Sequence, residues 1–324
     1  MTTDTKNRIL TYLAEHPQAT PHELQGYLGI GAPALFRQLK TLLSEGRIGK
    51  AGSAPKVFYF LQETKDQNTT ISLDPALAKT IQENFFTITP LGQIGEGVEG
   101  FIAWCTQHKL PTAKTAQEYS KTLNKYAAFR KKGVINGLAK FKDTFPEVYL
   151  DTIYYLDFYS IERFGKTKLG NLLLYAKQSQ SPLLMRQLFA LIIPRIKRLM
   201  DEKAIDAVGF IPPTIQRNLQ FQKELEKSLA LTIPKLTITK ASGGIMVAQK
   251  TLSKLQDRIE NARSTLFVEN VPPAKKVLLI DDAVGSGASL NEVARKIKQQ
   301  RPGVQVIGLA ITGSFKGFDV LNEV

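Results

Sequence analysis

The chain has 324 residues, 43% of them hydrophobic and 22% charged, and a formal net charge of +14. This balance excludes a disordered chain and predicts about two domains, while no apolar run approaches the roughly 20 residues that cross a bilayer. One cysteine and three histidines, at 16, 22 and 108, exclude an internal disulfide and argue against a Cys/His metal site. The positive charge points to a polyanionic partner: nucleic acid, a membrane surface or a phosphorylated ligand. The opening Met-Thr-Thr-Asp-Thr-Lys has no apolar segment behind a basic start, so no signal peptide is expected and the cytoplasm is the expected compartment.

Residues 1–62 read as one small domain. Ile9, Leu10, Leu13 and Ala14 recur at helical spacing in Lys6–Glu15. Thr20-Pro21-His22-Glu23 is a capping box with Pro at the first helical position, and opens a helix over Pro21–Leu28. A tight turn at Gly29-Ile30-Gly31 leads to a third helix, Ala32–Glu45, with Leu35, Leu39, Leu42 and Leu43 on one face and Gly46 as its stop. Arg47–Lys50 and Lys56–Leu61 read as two short strands around the tip Ala51–Pro55.

The order helix, helix-turn-helix, hairpin resembles the winged helix-turn-helix DNA-binding family. That resemblance implies an α+β domain whose third helix enters the major groove and whose hairpin touches the backbone or minor groove. It nominates Arg37, Gln38, Lys40 and Thr41 on the third helix, and Lys50, Ser53 and Lys56 on the wing, as DNA contacts. The competing reading of the same pattern is a protein-interaction or dimerisation module.

The polar stretch 63–70 reads as a linker, and 74–148 as a mostly helical connector with candidates over Pro75–Asn84, Gly97–His108, Thr115–Arg130 and Gly137–Phe145. Phe101, Trp104 and Phe129 are candidate core residues, and Cys105 beside Trp104 reads as core, not nucleophile. From about 150 onward strands and helices alternate, which predicts a parallel sheet covered by helices. The expected elements are a helix over Leu183–Met200, a strand over Ala204–Phe210, a helix over Leu219–Leu229 and a strand over Leu236–Thr239. Val247–Ser264 then reads as largely helical, Val277–Ile280 as a buried strand, Leu290–Gln300 as a helix and Val304–Ile311 as a strand.

The stretch with readable chemistry is 276–289, Lys-Val-Leu-Leu-Ile-Asp-Asp-Ala-Val-Gly-Ser-Gly-Ala-Ser. A buried strand ends in Asp281 and Asp282, then a loop rich in Gly and Ser meets a helix that Ser289 is expected to cap, with Glu292 in the capping-box position. Gly285 and Gly287 let backbone amides approach an anion closely, and the helix N-terminus adds favourable dipoles. Ser286 and Ser289 add hydroxyls. Two carboxylates beside a phosphate cradle suit the vicinal hydroxyls of a ribose, so the stretch describes a ribose 5-phosphate site.

This stretch resembles the phosphoribosyl-pyrophosphate loop of type I phosphoribosyltransferases, with Gly285 at the position usually held by Thr or Ser. Gln249, Leu252, Arg258, Asn261 and Phe267 at their spacing, Tyr159–Lys177, and Ile211-Pro212-Pro213 resemble segments of ComF-like members, over roughly residues 155–312. Arg217-Asn-Leu-Gln220-Phe221-Gln222 lacks the Gly that the family carries there. The resemblance implies a C-terminal α/β type I phosphoribosyltransferase fold over 151–324. It assigns Asp281 and Asp282 a catalytic role and Ala283, Val284, Gly285, Ser286, Gly287, Ala288, Ser289, Pro212 and Arg258 to ligand binding, with Mg2+ accompanying phosphoribosyl pyrophosphate. Lys240 and Lys250 are weaker pyrophosphate candidates, and Gly243-Gly244 reads as a hood tip or a plain turn.

The expected whole is multidomain: a winged helix (1–62), a linker and helical connector (63–150) and a phosphoribosyltransferase-like domain (151–324). The favoured function is a DNA-binding regulator that senses phosphoribosyl pyrophosphate or a nucleotide, by analogy with purine-operon repressors. The alternatives are an active phosphoribosyltransferase and a ComF-like DNA uptake or processing protein. A homodimer is expected, with no membrane contact. Residues 1–62 carry 7 basic and 4 acidic side chains, 63–150 carry 11 and 9, and 151–324 carry 25 and 16. Most of the excess charge therefore lies outside the expected DNA reader.

Overall fold

The computed structural model describes residues 2–53, 56–62, 73–213, 215, 217–241, 252 and 254–314. The chain divides into two compact units, 1–72 and 73–324. Among the described residues no helix is long and apolar enough to cross a membrane.

The smaller unit contains α1 (Thr2–Glu15), α2 (Pro21–Leu28), α3 (Ala32–Ser44) and an antiparallel pair, β1 (Ile48–Ser53) and β2 (Lys56–Leu61). The capping box forms as its residues dictate: the Thr20 side chain accepts from the Glu23 amide, and the Glu23 carboxylate accepts from the Thr20 amide at 2.7 Å. Ile9, Leu13, Leu24, Leu28, Leu35, Leu39, Leu42, Ile48 and Tyr59 make a core of their own. Ala19 bridges Tyr59, which ties the approach to α2 onto the hairpin. Gly49 leaves room for the Phe60 ring, since a Cβ there would lie 2.3 Å from it.

The larger unit begins with α4 (Pro75–Asn84), β3 (Phe86–Ile88), β4 (Ile94–Glu96), α5 (Gly97–Gln107), α6 (Thr112–Ala127), β5 (Arg130–Lys131), β6 (Val134–Asn136) and α7 (Leu138–Thr144). It continues through β7 (Thr152–Phe158), α8 (Lys168–Ser179), α9 (Pro182–Lys203), β8 (Ala207–Phe210), α10 (Phe221–Leu229) and β9 (Lys235–Lys240). The last elements are α11 (Leu255–Thr265), β10 (Leu266–Glu269), β11 (Lys276–Val284), α12 (Ala288–Gln300) and β12 (Gln305–Gly313). One eight-stranded sheet runs β10-β9-β8-β11-β12-β7-β6-β5; its five central strands are parallel, and antiparallel pieces close both edges.

Helices cover both faces. Successive β11 residues point to opposite sides: Val277 and Leu279 join the core that contains Phe101, Phe141 and Ala294, while Leu278 and Ile280 join the core that contains Leu172, Leu188 and Leu225. A strand buried on both faces must be apolar throughout, which is why Val-Leu-Leu-Ile carries no alternation.

Residues 73–150 are not a separate connector in this arrangement. They fall in the same unit as the sheet, and β5 and β6 extend it. Two hairpins stand where helix was expected or nothing was read, β3–β4 and β5–β6. Both are too short to show period-two alternation. The second turns at Lys132 and Gly133, whose φ of 52° and 82° suit a two-residue hairpin, and the helix before it stops at Ala127, short of the expected Arg130. The strand β7, the helix α8 and the strand β10 add to the expected alternation. The expected linker 63–70 and the segment 247–251 lie outside the described residues.

Candidate functional site

The sheet topology creates the site. From β8 the chain passes to β9 on one side, and from β11 it passes to β12 on the other. The carboxyl ends of β8 and β11 therefore flank a topological switch point, where open α/β sheets leave a crevice. β8 pairs with β11 only as far as Phe210 opposite Ile280, and the Ile211 amide donates to the Ile280 carbonyl at 2.9 Å. Pro212 and Pro213 then carry the β8 chain away, since neither can donate to the ladder. β11 itself continues, paired with β12 as far as Val284. Asp281 and Asp282 thus belong to a paired strand and lose only their neighbour on the β8 side.

A cavity of about 250 Å³ opens at this point. It is lined by the whole of 281–289, by Ile211, Pro212 and Pro213, by Lys240 at the end of β9, by Arg258, by Arg217, by Leu174, Lys177 and Gln178 of α8, and by Gln220, Phe221 and Gln222 at the start of α10. Pro212, Arg258 and Asp281–Ser289, which the resemblance assigns to ligand binding, are all on that wall. Lys177 and Gln222 lie in segments already compared with the ComF-like family but were not nominated for the site, and Gln178 carried no signal; a lysine 105 positions upstream of its partner shares no spacing pattern with it. Lys250 and Gly243-Gly244 lie outside the described residues.

The two carboxylates are in different environments. Asp282 forms an ion pair with Lys177, and Gln222 Nε2 lies 3.5 Å from the same carboxylate oxygen. Asp281 Oδ1 accepts the Asp282 backbone N–H at 2.8 Å. Burial, and next the Asp282 charge, push the Asp281 carboxyl well above the usual carboxylate range, while Lys177 and Lys240 pull it back. Burial lowers Lys240, opposed by Asp281. Arg258 is 4% exposed, so it is not the solvated helix charge its position in an amphipathic pattern allows. Its Nε donates to the Leu252 carbonyl at 2.7 Å, and its guanidinium stands at the loop, 3.4 Å from where a Gly285 Cβ would be. Desolvation lowers its pKa as well.

The loop after β11 is shaped by one glycine. Gly287 has φ of 81° and a Cβ there would meet the Phe141 ring at 2.4 Å. Phe141 belongs to α7, so a helix from the segment without a readable motif forms part of the loop's support. The expected cap is corrected here. The helix begins at Ala288, its cap residue is Gly287, and the Ser286 hydroxyl accepts from the Ala288 amide at 3.4 Å. Ser289 is therefore in the first turn and lines the cavity. Glu292 is 4% exposed and serves a bidentate pair with Arg295 instead of reaching back to a cap.

Of the residues nominated on the smaller unit, Arg37 and Lys40 of α3 and Lys50 of β1 are exposed. Gln38 and Thr41 are half-buried, and the Thr41 hydroxyl donates to the Arg37 carbonyl at 3.0 Å. Ser53 and Lys56 pair across the hairpin through their backbones. Cys105 is fully buried, and burial raises its thiol to about 11.

A cation held by the protein alone does not fit the donor set. Among the described residues no group of three or more His, Cys, Asp or Glu is placed to share a metal ion, and one of the two carboxylates at the cavity is engaged by Lys177 and Gln222. Mg2+ prefers several oxygen ligands and brings its own waters, so it would enter with a ligand's phosphates.

No family model matches the sequence, and no curated protein matches it. Among solved structures, a Helicobacter pylori xanthine-guanine-hypoxanthine phosphoribosyltransferase aligns at 13% identity and a TM-score of 0.27, over 43% of this chain and 79% of that one. A likeness at that score carries no argument about fold or activity. The mixed α/β architecture, with its mostly parallel eight-stranded sheet, is established by the strand pairing itself.

Proposed function

We propose that the larger unit binds a ribose 5-phosphate group, as phosphoribosyl pyrophosphate or a nucleotide, and that the smaller unit is a winged helix that binds DNA under the control of that ligand. The observation that carries this reading is the joint placement of Asp281, Asp282 and the Gly285-Ser286-Gly287 loop on one cavity wall at the switch point of the sheet.

Each part has a role in it. The loop amides, with the N-terminus of α12 behind them, hold the 5-phosphate. Asp281, at the ribose edge, accepts from a hydroxyl. Lys240 and Arg258 supply positive charge for a pyrophosphate, and Arg258 adds a planar donor fork. Mg2+, where present, arrives on the pyrophosphate. The ligand changes DNA affinity only in so far as it binds one arrangement of the protein better than another. Two copies of the smaller unit in a homodimer would meet two half-sites of an operator.

The test is a DNA-binding titration at several salt concentrations, with and without phosphoribosyl pyrophosphate and Mg2+. The expected outcome is a DNA affinity that changes severalfold with ligand and loses that response in Asp281→Asn/Asp282→Asn. An unchanged ligand response in the double variant would refute the ribose site. A second reading, an active phosphoribosyltransferase, is favoured by the apolar wall that Leu174, Ile211 and Phe221 present beside the acids, room for a planar acceptor. Release of pyrophosphate with some nucleobase would decide for it.

A further inference from the structure

We propose that Lys177 takes the place of a divalent cation against Asp282, so that the cavity holds a phosphorylated ligand without any metal. The inference rests on the ribose 5-phosphate reading for the identity of the ligand, and on the ion pair for the role of the lysine.

Three observations carry it. The first is geometric. Lys177 Nζ reaches Asp282 Oδ2 from the last turn of α8, with Gln222 Nε2 at 3.5 Å from the same oxygen. The second is burial. The two side chains are only 20% and 15% exposed, so water screens the pair poorly and an arriving dication would have to displace a buried ammonium from Asp282. The third is the charge on the wall. Among the described residues, the cavity lining holds four basic side chains, Lys177, Arg217, Lys240 and Arg258, and two acidic ones, Asp281 and Asp282, a formal net of +2. A phosphate monoester carries about −1.5 to −2 near neutrality, so the wall already matches it without help. Asp281, with one oxygen engaged by backbone and, among the described residues, no ion pair of Asp282's kind, is left as the ribose-facing carboxyl.

Two measurements on the full-length protein test this. In the first, ribose 5-phosphate and phosphoribosyl pyrophosphate are titrated in EDTA and in Mg2+ against wild type, Lys177→Met and Lys177→Arg. Wild type and Lys177→Arg are expected to bind within about threefold in the two buffers, while Lys177→Met is expected to lose about tenfold or more in EDTA and to recover with Mg2+. A wild type that loses about tenfold in EDTA, or a Lys177→Met variant indifferent to EDTA, overturns the proposal.

In the second, Mn2+ binding is followed by electron paramagnetic resonance with no organic ligand added. Wild type should leave Mn2+ free, and Lys177→Met should bind it through Asp282, losing it again in Lys177→Met/Asp282→Asn. Mn2+ bound by wild type and released by Asp282→Asn, or ignored by both wild type and Lys177→Met, overturns the proposal. If neither sugar phosphate binds wild type in either buffer, the ligand reading fails, and the Mn2+ result still decides what Lys177 does.

Discussion

At the scale of single residues, the site depends on one carboxylate and one glycine. Asp281 is penalised for ionising in the fold, since burial and Asp282 raise its pKa above the unfolded value. A raised acid costs stability as the pH climbs through the raised value and returns it on acidification. Asp281→Asn should therefore stabilise the protein at about pH 8, with the gain shrinking towards about pH 4, as read from denaturant midpoints at the two pH values. Gly287→Ala should act in the other direction. The new Cβ meets the Phe141 ring at 2.4 Å and must adopt φ of 81°, so a loss of about 2–4 kcal/mol is expected in equilibrium unfolding. Gly285→Ala should cost less than about 1 kcal/mol, because its nearest neighbour would be 3.4 Å away. Asp281, Asp282 and the loop were legible in the sequence because strand, acids and glycines are contiguous. Lys177 and Gln222 were not, since only the tertiary fold brings α8 and α10 to the same carboxylate.

At the scale of elements, the long periodic segments were legible and the short pairings were not. Val277–Ile280 marks β11 correctly, yet the strand continues to Val284 because β12 remains available as a partner after β8 has turned away. Apolar content alone could not reveal that continuation. The start of α12 shows a second limit: Ser289 and Glu292 have capping-box spacing, but Gly287 sits at the cap and Glu292 is turned inward to Arg295, with Arg263 of α11 3.8 Å away. Without Arg295 that buried carboxylate keeps only the exposed Arg263 at 3.8 Å, too far and too solvated to replace a bidentate partner. Arg295→Met is accordingly expected to destabilise the larger unit by about 3 kcal/mol, and Arg295→Met/Glu292→Gln by clearly less, in a double-mutant cycle on unfolding free energies.

At the scale of the whole molecule, the division into units follows from where the cores lie. The smaller unit keeps its core within Ile9–Tyr59, and the larger unit buries its own on the two faces of one sheet. Residues 1–72 and 73–324 should each unfold cooperatively when expressed alone, with the second retaining sugar-phosphate binding and the first retaining any DNA affinity, now indifferent to ligand. The sequence pattern divides the chain into three parts, 1–62, 63–150 and 151–324, where the contacts give two units, 1–72 and 73–324. The true start of the second unit was not legible, because residues 73–150 join a sheet whose central strands come later in sequence. That late joining has a consequence for how the protein stays dispersed. β5 is two residues long, both basic and exposed, and with β6 it covers the outer side of β7. A chain begun at residue 151 would lose that cover and offer the unpaired amides and carbonyls of a seven-residue, mostly apolar strand to its neighbours. Such a strand is a template for intermolecular pairing, so a 151–324 fragment should aggregate where a 73–324 fragment stays monodisperse in light scattering.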